Sequence, residues 1–226
     1  TFVPGDVGKE IHQRYTYTGE DISGNDVTKF ATAKALITAY VDPQNVTCTI
    51  NAAFPALTLI AALGWRLTVT TISGLGHLEG KTVDVCPNGA THPQRIVTGG
   101  QITLQAGASK VHVGLPMPAK LQTMRLNAGA QDGASQGKTA RINKAVIRFL
   151  DTVGLKYGPN FKKLKELPFR KASHPMDQPV PLFTGDMTVD WPGDYDTNPW
   201  LCFQQDDPLP WTIVAVMPTD SVYDKG

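Results

Sequence analysis

The sequence predicts an all-β protein of short antiparallel strands, arranged as a sandwich or barrel, and three observations carry that expectation. Apolar residues recur mostly at every second position, the period of a strand with one covered face. The runs are brief and stop at turn-forming residues. Glycine and proline, 21 and 17 of the 226 residues, supply such turns throughout and argue against a helical bundle or a coiled coil.

Taken in order, the strand-like runs fall at 9–17, 33–40, 46–50, 66–71, 82–86, 95–97, 101–104, 110–113 and 144–152. Alternate side chains of a strand face opposite ways, so each run offers one face to a core and the other to solvent or a neighbour. Asp42-Pro43, Pro87-Asn88-Gly89, Gly99-Gly100, Asp132-Gly133 and Pro159-Asn160 punctuate them, and these residue types adopt turn conformations that others adopt poorly. Parallel crossovers would need helical segments between strands, and only two short stretches offer any. One is 54–63, with its two Ala pairs; the other is 160–166, a single turn opened by an Asn160 cap. Neither is long enough to change the fold class.

Composition removes several functional classes. A chain of this length builds its own core without a disulfide or metal staple. With 21 basic and 20 acidic side chains the net charge is +1, which fits neither a strongly basic nucleic-acid binder nor an acidic disordered chain. No apolar run approaches the roughly 20 residues of a membrane span; the longest, 54–67, is broken by Pro55, Gly64 and Arg66. Cys48, Cys86 and Cys202 leave an odd thiol and no CxxC spacing, so a reducing compartment is expected rather than a disulfide scaffold or zinc knuckle. The opening Thr1-Phe2-Val3-Pro4-Gly5-Asp6, without an initiator Met, reads as the interior of a longer or processed polypeptide.

Charge is segregated although it cancels overall. Residues 138–171 carry 10 basic and 2 acidic groups, and 172–226 carry 1 and 9, giving blocks of +8 and −8. Lys162, Lys163, Lys165, Arg170 and Lys171 form a stripe that could track phosphates, with Tyr157, Phe161 and Phe169 as the only interleaved aromatics. The favoured reading is that the two blocks meet each other, by strand pairing within the chain or edge to edge between subunits.

No enzyme site emerges from the residue pattern. His12, His77, His92, His112 and His174 are scattered, without HExxH or ligand spacing. Cys86 lies near His77 and His92 in sequence, but it ends an alternating run and reads as a small buried hydrophobe. Asp190, Asp194 and Asp196 hint at a calcium loop, yet the acidic spacing and closing Glu of an EF-hand are missing, and a solvated turn is favoured. Gly74-Leu75-Gly76 is too short for a phosphate cradle. No catalytic, cofactor or metal residue is assigned.

One ordered set of motifs resembles a known family. His77-Leu78-Glu79-Gly80-Lys81-Thr82-Val83, then Val97-Thr98-Gly99-Gly100-Gln101-Ile102-Thr103-Leu104, then Val111-His112-Val113-Gly114-Leu115-Pro116 resemble the C-terminal region of large tail proteins of tailed bacteriophages. These are described as stabilisation proteins, as carrying an FCCH-like domain, or as the nozzle or tail tubular component of short-tailed phages. Phe2-Val3-Pro4-Gly5-Asp6 with Gly64-Trp65, and later Gly137-Lys138, Phe183-Thr184-Gly185-Asp186 and Asp207-Pro208-Leu209-Pro210, extend the resemblance over most of the chain. Met117-Pro118 departs from it, standing where an aromatic is expected.

The resemblance implies an FCCH-like small β-barrel at 1–72 and a β-rich tail-protein domain at 73–226. It implies a non-enzymatic structural protein of the virion, assembled in the host cytoplasm. Copies would form a homo-oligomer, expected to be a homohexamer, around the channel for viral genome ejection. Its partners would be other tail proteins, adaptor and fibres, with DNA passing without specific binding, no cofactor, and no membrane span. The alternative is a host-surface glycan-binding or fibre-adaptor module using Trp191, Tyr195, Trp200 and Trp211 as stacking platforms. A cell-wall hydrolase is disfavoured for want of an acid–base pair.

Overall fold

A computed structural model of the chain describes residues 1–20, 26–55, 64–126, 138–172, 174, 176 and 178–223. The strands are, in chain order, β1 (Glu10–Glu20), β2 (Asp26–Asp42), β3 (Asn45–Ala52), β4 (Arg66–Leu67), β5 (Val69–Ile72), β6 (Thr82–Pro87), β7 (His92–Ile96), β8 (Ile102–Ala108), β9 (Val111–Gly114), β10 (Ala119–Gln122), β11 (Thr139–Thr152), β12 (Lys156–Asn160), β13 (Lys163–Glu166), β14 (Phe183–Asp190), β15 (Cys202–Gln205) and β16 (Ile213–Tyr223). The protein is all-β. Every strand-like run read from the sequence overlaps one of these strands, and the sheets are open, with no closed barrel among the described residues. By contacts the chain divides into two units: residues 1–81 with 95–112, and residues 82–94 with 113–226.

The two helical expectations fare differently. Residues 56–63 lie outside the described residues, so the first falls mostly there. The second is corrected: 160–166 is a hairpin between β12 and β13, not a helical turn. Asn160 does cap backbone donors, accepting from the N–H of Lys162 and Lys163 at 3.0 and 2.9 Å, but it closes a strand reversal. The same Asn side-chain chemistry serves a turn as readily as a helix start.

In the first unit one sheet runs β3–β2–β1–β4 and a second pairs β5 with β8. The turn from β2 to β3 is held by the Asp42 carboxylate, which accepts the N–H of Gln44 and Asn45 at 2.7 and 2.8 Å. β3 pairs only with residues from Lys34 onward in β2, and β4 covers only Ile11 and His12 of β1. Among the described residues, 14–20 of β1 and 26–32 of β2 therefore pair only with each other, as a two-stranded ribbon. The buried apolar residues of the unit are modest in size, including Ala33, Ala35 and Ile37 on alternate positions of β2 and Ile102, Leu104 and Ala108 on β8.

The motif residues of this unit have a local role. Gly99 and Gly100 both have positive φ, 62° and 67°, so Thr98 and Gln101 face each other across a two-residue turn. The Glu79 carboxylate accepts both glycine N–H groups, at 2.9 and 2.7 Å. Gly80 donates its N–H to the Val97 carbonyl. The spacing of His-Leu-Glu-Gly from Val-x-Gly-Gly is thus the spacing of an acceptor and the turn it caps.

The second unit is a sandwich. One of its sheets runs β14–β11–β16 and another β10–β15–β12–β13, while β6 belongs to a further sheet, β7–β6–β9. Ile147 and Phe149 from the first, Tyr157 and Phe203 from the second, and Leu155, Trp191 and Phe169 from the connections belong to one core. β11 spans both halves of this core only because it bulges. Its register against β16 shifts between Ile142 and Lys144, so the buried positions change from 140 and 142 to 145, 147 and 149. The bulged Asn143 accepts the Trp191 N–H on its carbonyl at 2.9 Å and donates its side-chain amide to the Ser221 hydroxyl at 2.7 Å. Elsewhere in this unit the Asn88-Gly89 reversal after β6 has positive φ at both residues, 52° and 84°, the conformation a tight hairpin requires.

The segregated charges meet inside this unit. β11, from the basic block, lies between β14 and β16 of the acidic block. Arg148 grips Asp186 with two hydrogen bonds of 2.7 and 2.8 Å, and Lys156 reaches Asp206 at 2.8 Å. Hydrogen bonding to these cations holds the carboxyls of Asp186 and Asp206 below their ordinary range, against the opposing push of desolvation. Strand pairing within one chain is therefore the use these side chains find.

Candidate functional site

The isolated sequence candidates do not converge. Among the described residues no three His, Cys, Asp or Glu side chains come together as metal ligands. Asp190 pairs with Lys144 in the β11–β14 ladder, while Asp194 and Asp196 accept backbone N–H groups of their own loop. Cys86 is buried, and desolvation pushes its thiol up, away from a reactive thiolate. His92 contacts the carbonyl of Pro93, and His174 accepts the Lys171 N–H; His77 and His112 are exposed. Leu75, within the Gly74–Gly76 stretch, uses its N–H on the Gly100 carbonyl. Of the proposed base-stacking aromatics, Tyr157 and Phe169 are buried in the second unit's core and cannot receive bases.

A constellation that spacing along the sequence did not reveal lies in the first unit. His12, 6% exposed, has Nδ1 3.2 Å from the Ser109 hydroxyl and Nε2 2.9 Å from a Glu10 carboxylate oxygen. In the neutral imidazole with its proton on Nε2 toward Glu10, Nδ1 accepts from the hydroxyl, the order of partners in a nucleophilic triad. The rest of the network is structural. Glu10 also accepts from Asn51 at 3.2 Å on β3, and its backbone N–H donates to the Thr68 hydroxyl at 2.9 Å between β4 and β5. Burial raises the Glu10 carboxyl, and the hydrogen bonds from His12 and Asn51 outweigh it and hold the group low. Neither groove described below is lined by Ser109, His12 or Glu10. The network ties strands together around a buried ring.

The ribbon of the first unit carries exposed aromatic surface. Phe30 is 61% exposed, with the Arg14 guanidinium 4.4 Å from its ring centroid. Tyr15 and Tyr17 follow on β1 with ring centroids 6.4 Å apart. A shallow depression of about 640 Å³ is lined by Arg14, Tyr15, Thr16, Phe30 and Pro55. Val41 and Ile50, on β2 and β3, are also exposed.

A second groove, about 550 Å³, lies in the second unit between the β12–β13 hairpin and the loop 191–200. Its aromatic residues separate into two kinds. Trp191 is 4% exposed and packs on Tyr157 and Phe203 at 5.3 and 5.8 Å between centroids, whereas Tyr195 and Trp200 are 50% and 37% exposed. The expectation of four exposed platforms is corrected to two, since Trp211 packs partly buried against the same core. Gly158 lets β13 approach: a Cβ there would run into the Lys163 carbonyl. Backbone bonds of 2.9 Å in both directions between Ala140 and Asp196 fasten the loop to the start of β11.

No protein-family model matches the chain, and no curated protein matches its sequence. Among the described residues no helix is long and apolar enough to cross a membrane.

Proposed function

We propose that this chain is a structural, non-enzymatic component of a bacteriophage tail, a nozzle or tail-tube protein whose copies close into a ring, expected to be hexameric, around the DNA ejection channel. The ordered motifs support the tail assignment, and the ribbon of the first unit supports the assembly. A two-stranded ribbon in water is at best marginal on its own. Seven residue pairs of β1 and β2 extend beyond β3 and β4 here, with Tyr17 and Phe30 uncovered. Such an arm gains stability when a neighbouring copy covers it, and a patch that meets a different patch on the next copy generates a ring when the rotation between copies closes. A net charge of +1 suits a conduit that must let DNA slide. Because Arg148, Asp186, Lys156 and Asp206 are engaged with each other, the subunit contact falls to the ribbon rather than to those charges.

Cryo-electron microscopy of the intact particle tests this directly: rotationally repeated density for this chain around the tail axis is expected, and a single copy off the axis would refute it. In solution, light scattering should give a mass above the 24.4 kDa protomer. Phe30→Asp should return the protein to a monomer with an unchanged far-ultraviolet spectrum, because the side chain is exposed in the protomer.

A further inference from the structure

We propose that the groove between the β12–β13 hairpin and loop 191–200 binds a neutral oligosaccharide. This goes beyond assembly, since the ribbon and the groove belong to different units. Tyr195 and Trp200 present half-exposed rings at its rim. The apolar C–H face of a pyranose stacks on such rings, whose amphipathic character suits a ligand with one dry and one wet side. At about 550 Å³ the groove falls within the roughly 300–1,000 Å³ of small-molecule sites.

Its charges decide between ligands. Lys163 and Lys165 line one wall, and Asp194 and Asp196 line the other, so the groove is electrically balanced. A nucleic-acid strand or a sulfated glycan would need net positive charge and no facing carboxylates. A neutral polyol uses both signs, because each hydroxyl donates to carboxylates and accepts from ammonium groups. The described hydrogen bonds of Asp194 and Asp196 engage only Oδ1 of each carboxylate.

A second, independent observation lies at the floor. Trp191 Nε1–H is buried and has no hydrogen-bond partner among the described residues. The neighbouring ring atom Cδ1 sits 3.6 Å from where a Gly193 Cβ would be, so Gly193, which lines the groove, lies against this edge of the indole. Buried donors are almost always satisfied in proteins, so an acceptor reaching this edge past Gly193 would satisfy one that the chain itself leaves open. The loop is already fixed, by the Ala140–Asp196 bonds and by the Trp191 N–H to Asn143 at 2.9 Å. Little ordering is left for the ligand to impose.

Titration calorimetry of the full chain with maltotetraose, cellotetraose and chitotetraose, alongside heparin tetrasaccharide and oligo-dT, tests the assignment. Saturable binding of at least one neutral tetrasaccharide is expected, weakened tenfold or more by Trp200→Ala and by Tyr195→Ala but retained by Tyr195→Phe. Far-ultraviolet spectra of these variants should match wild type, since neither ring belongs to the buried core. Failure of all three neutral sugars at millimolar concentration would overturn the proposal, as would preference for heparin or oligo-dT, or binding indifferent to Trp200→Ala. Phe30→Asp should leave sugar affinity unchanged, so loss of assembly and loss of the groove's ligand are separate outcomes.

Discussion

The two units are built from the same kind of strand but are stabilised differently. The second buries Phe149, Phe169, Phe203, Tyr157 and Trp191 in one cluster between two sheets, with rings meeting edge to face. Among its described residues the first buries aliphatic side chains, with none of the large rings, and leans on hydrogen-bonded fixtures: Glu79 on its Gly-Gly turn, Asp42 on its hairpin, His12 between Glu10 and Ser109. Large buried rings each contribute about 1.5–3 kcal/mol by burial alone, whereas a hydrogen bond contributes about 1 net. The second unit finds its burial within its own ring cluster, whereas the first leaves Tyr17 and Phe30 for a neighbour to cover.

The strongest way to break this contrast is to remove a ring from the sandwich. Phe203→Ala should destabilise the second unit by about 3–5 kcal/mol, measured by denaturant unfolding followed on tryptophan fluorescence. If it cost no more than loss of a polar fixture, the two units would be held alike. Next, Gly158→Ala should cost about 1–3 kcal/mol by driving the new Cβ against the Lys163 carbonyl and pushing β13 away from β12. It should also weaken tetrasaccharide binding, because Lys163 and Lys165 move with the hairpin.

Smaller effects sharpen the comparison from the other side. Glu79→Ala removes two acceptors from an exposed turn and should cost the first unit about 1 kcal/mol, seen as faster hydrogen exchange at Gly99 and Gly100. The mildest is acid. Asp6, Asp186 and Asp206 are held below the ordinary carboxylate value of 3.8 by hydrogen bonds from Lys9, Arg148 and Lys156 respectively. In the window below 3.8 the unfolded chain takes up protons that the native one refuses, so the stability these groups contribute is present above that value and fades as pH falls through their lower folded values. Both units should lose stability together in a pH series of melts; a stability flat from pH 5 to 2 would contradict the pairings.

Several features were legible in the residues themselves. Asn88-Gly89 and Gly99-Gly100 are hairpin turns because few other pairs tolerate positive φ twice in succession, and both reversals form. Alternation located the nine strand-like runs for the same local reason. The groove was legible only in part: Tyr195 and Trp200 are exposed as expected, but Trp191 reads no differently in sequence and is buried. Ser109 and His12 are 97 residues apart and meet across strands, which spacing along the chain does not encode.

What the sequence determined by itself was therefore the β class and its turns, since side-chain period and backbone permissiveness act over two to four residues. Tertiary structure alone decided the rest. The bulge at Asn143 re-phases β11 so that both Ile142 and Ala145 face inward, a choice made by the partner strand. The opposed charge blocks became ladder neighbours, and loop 191–200 became a groove wall, because pairing partners far along the chain fixed where those side chains lie. Long-range register is chosen by the summed burial of whole strands, and no short stretch of residues contains that sum.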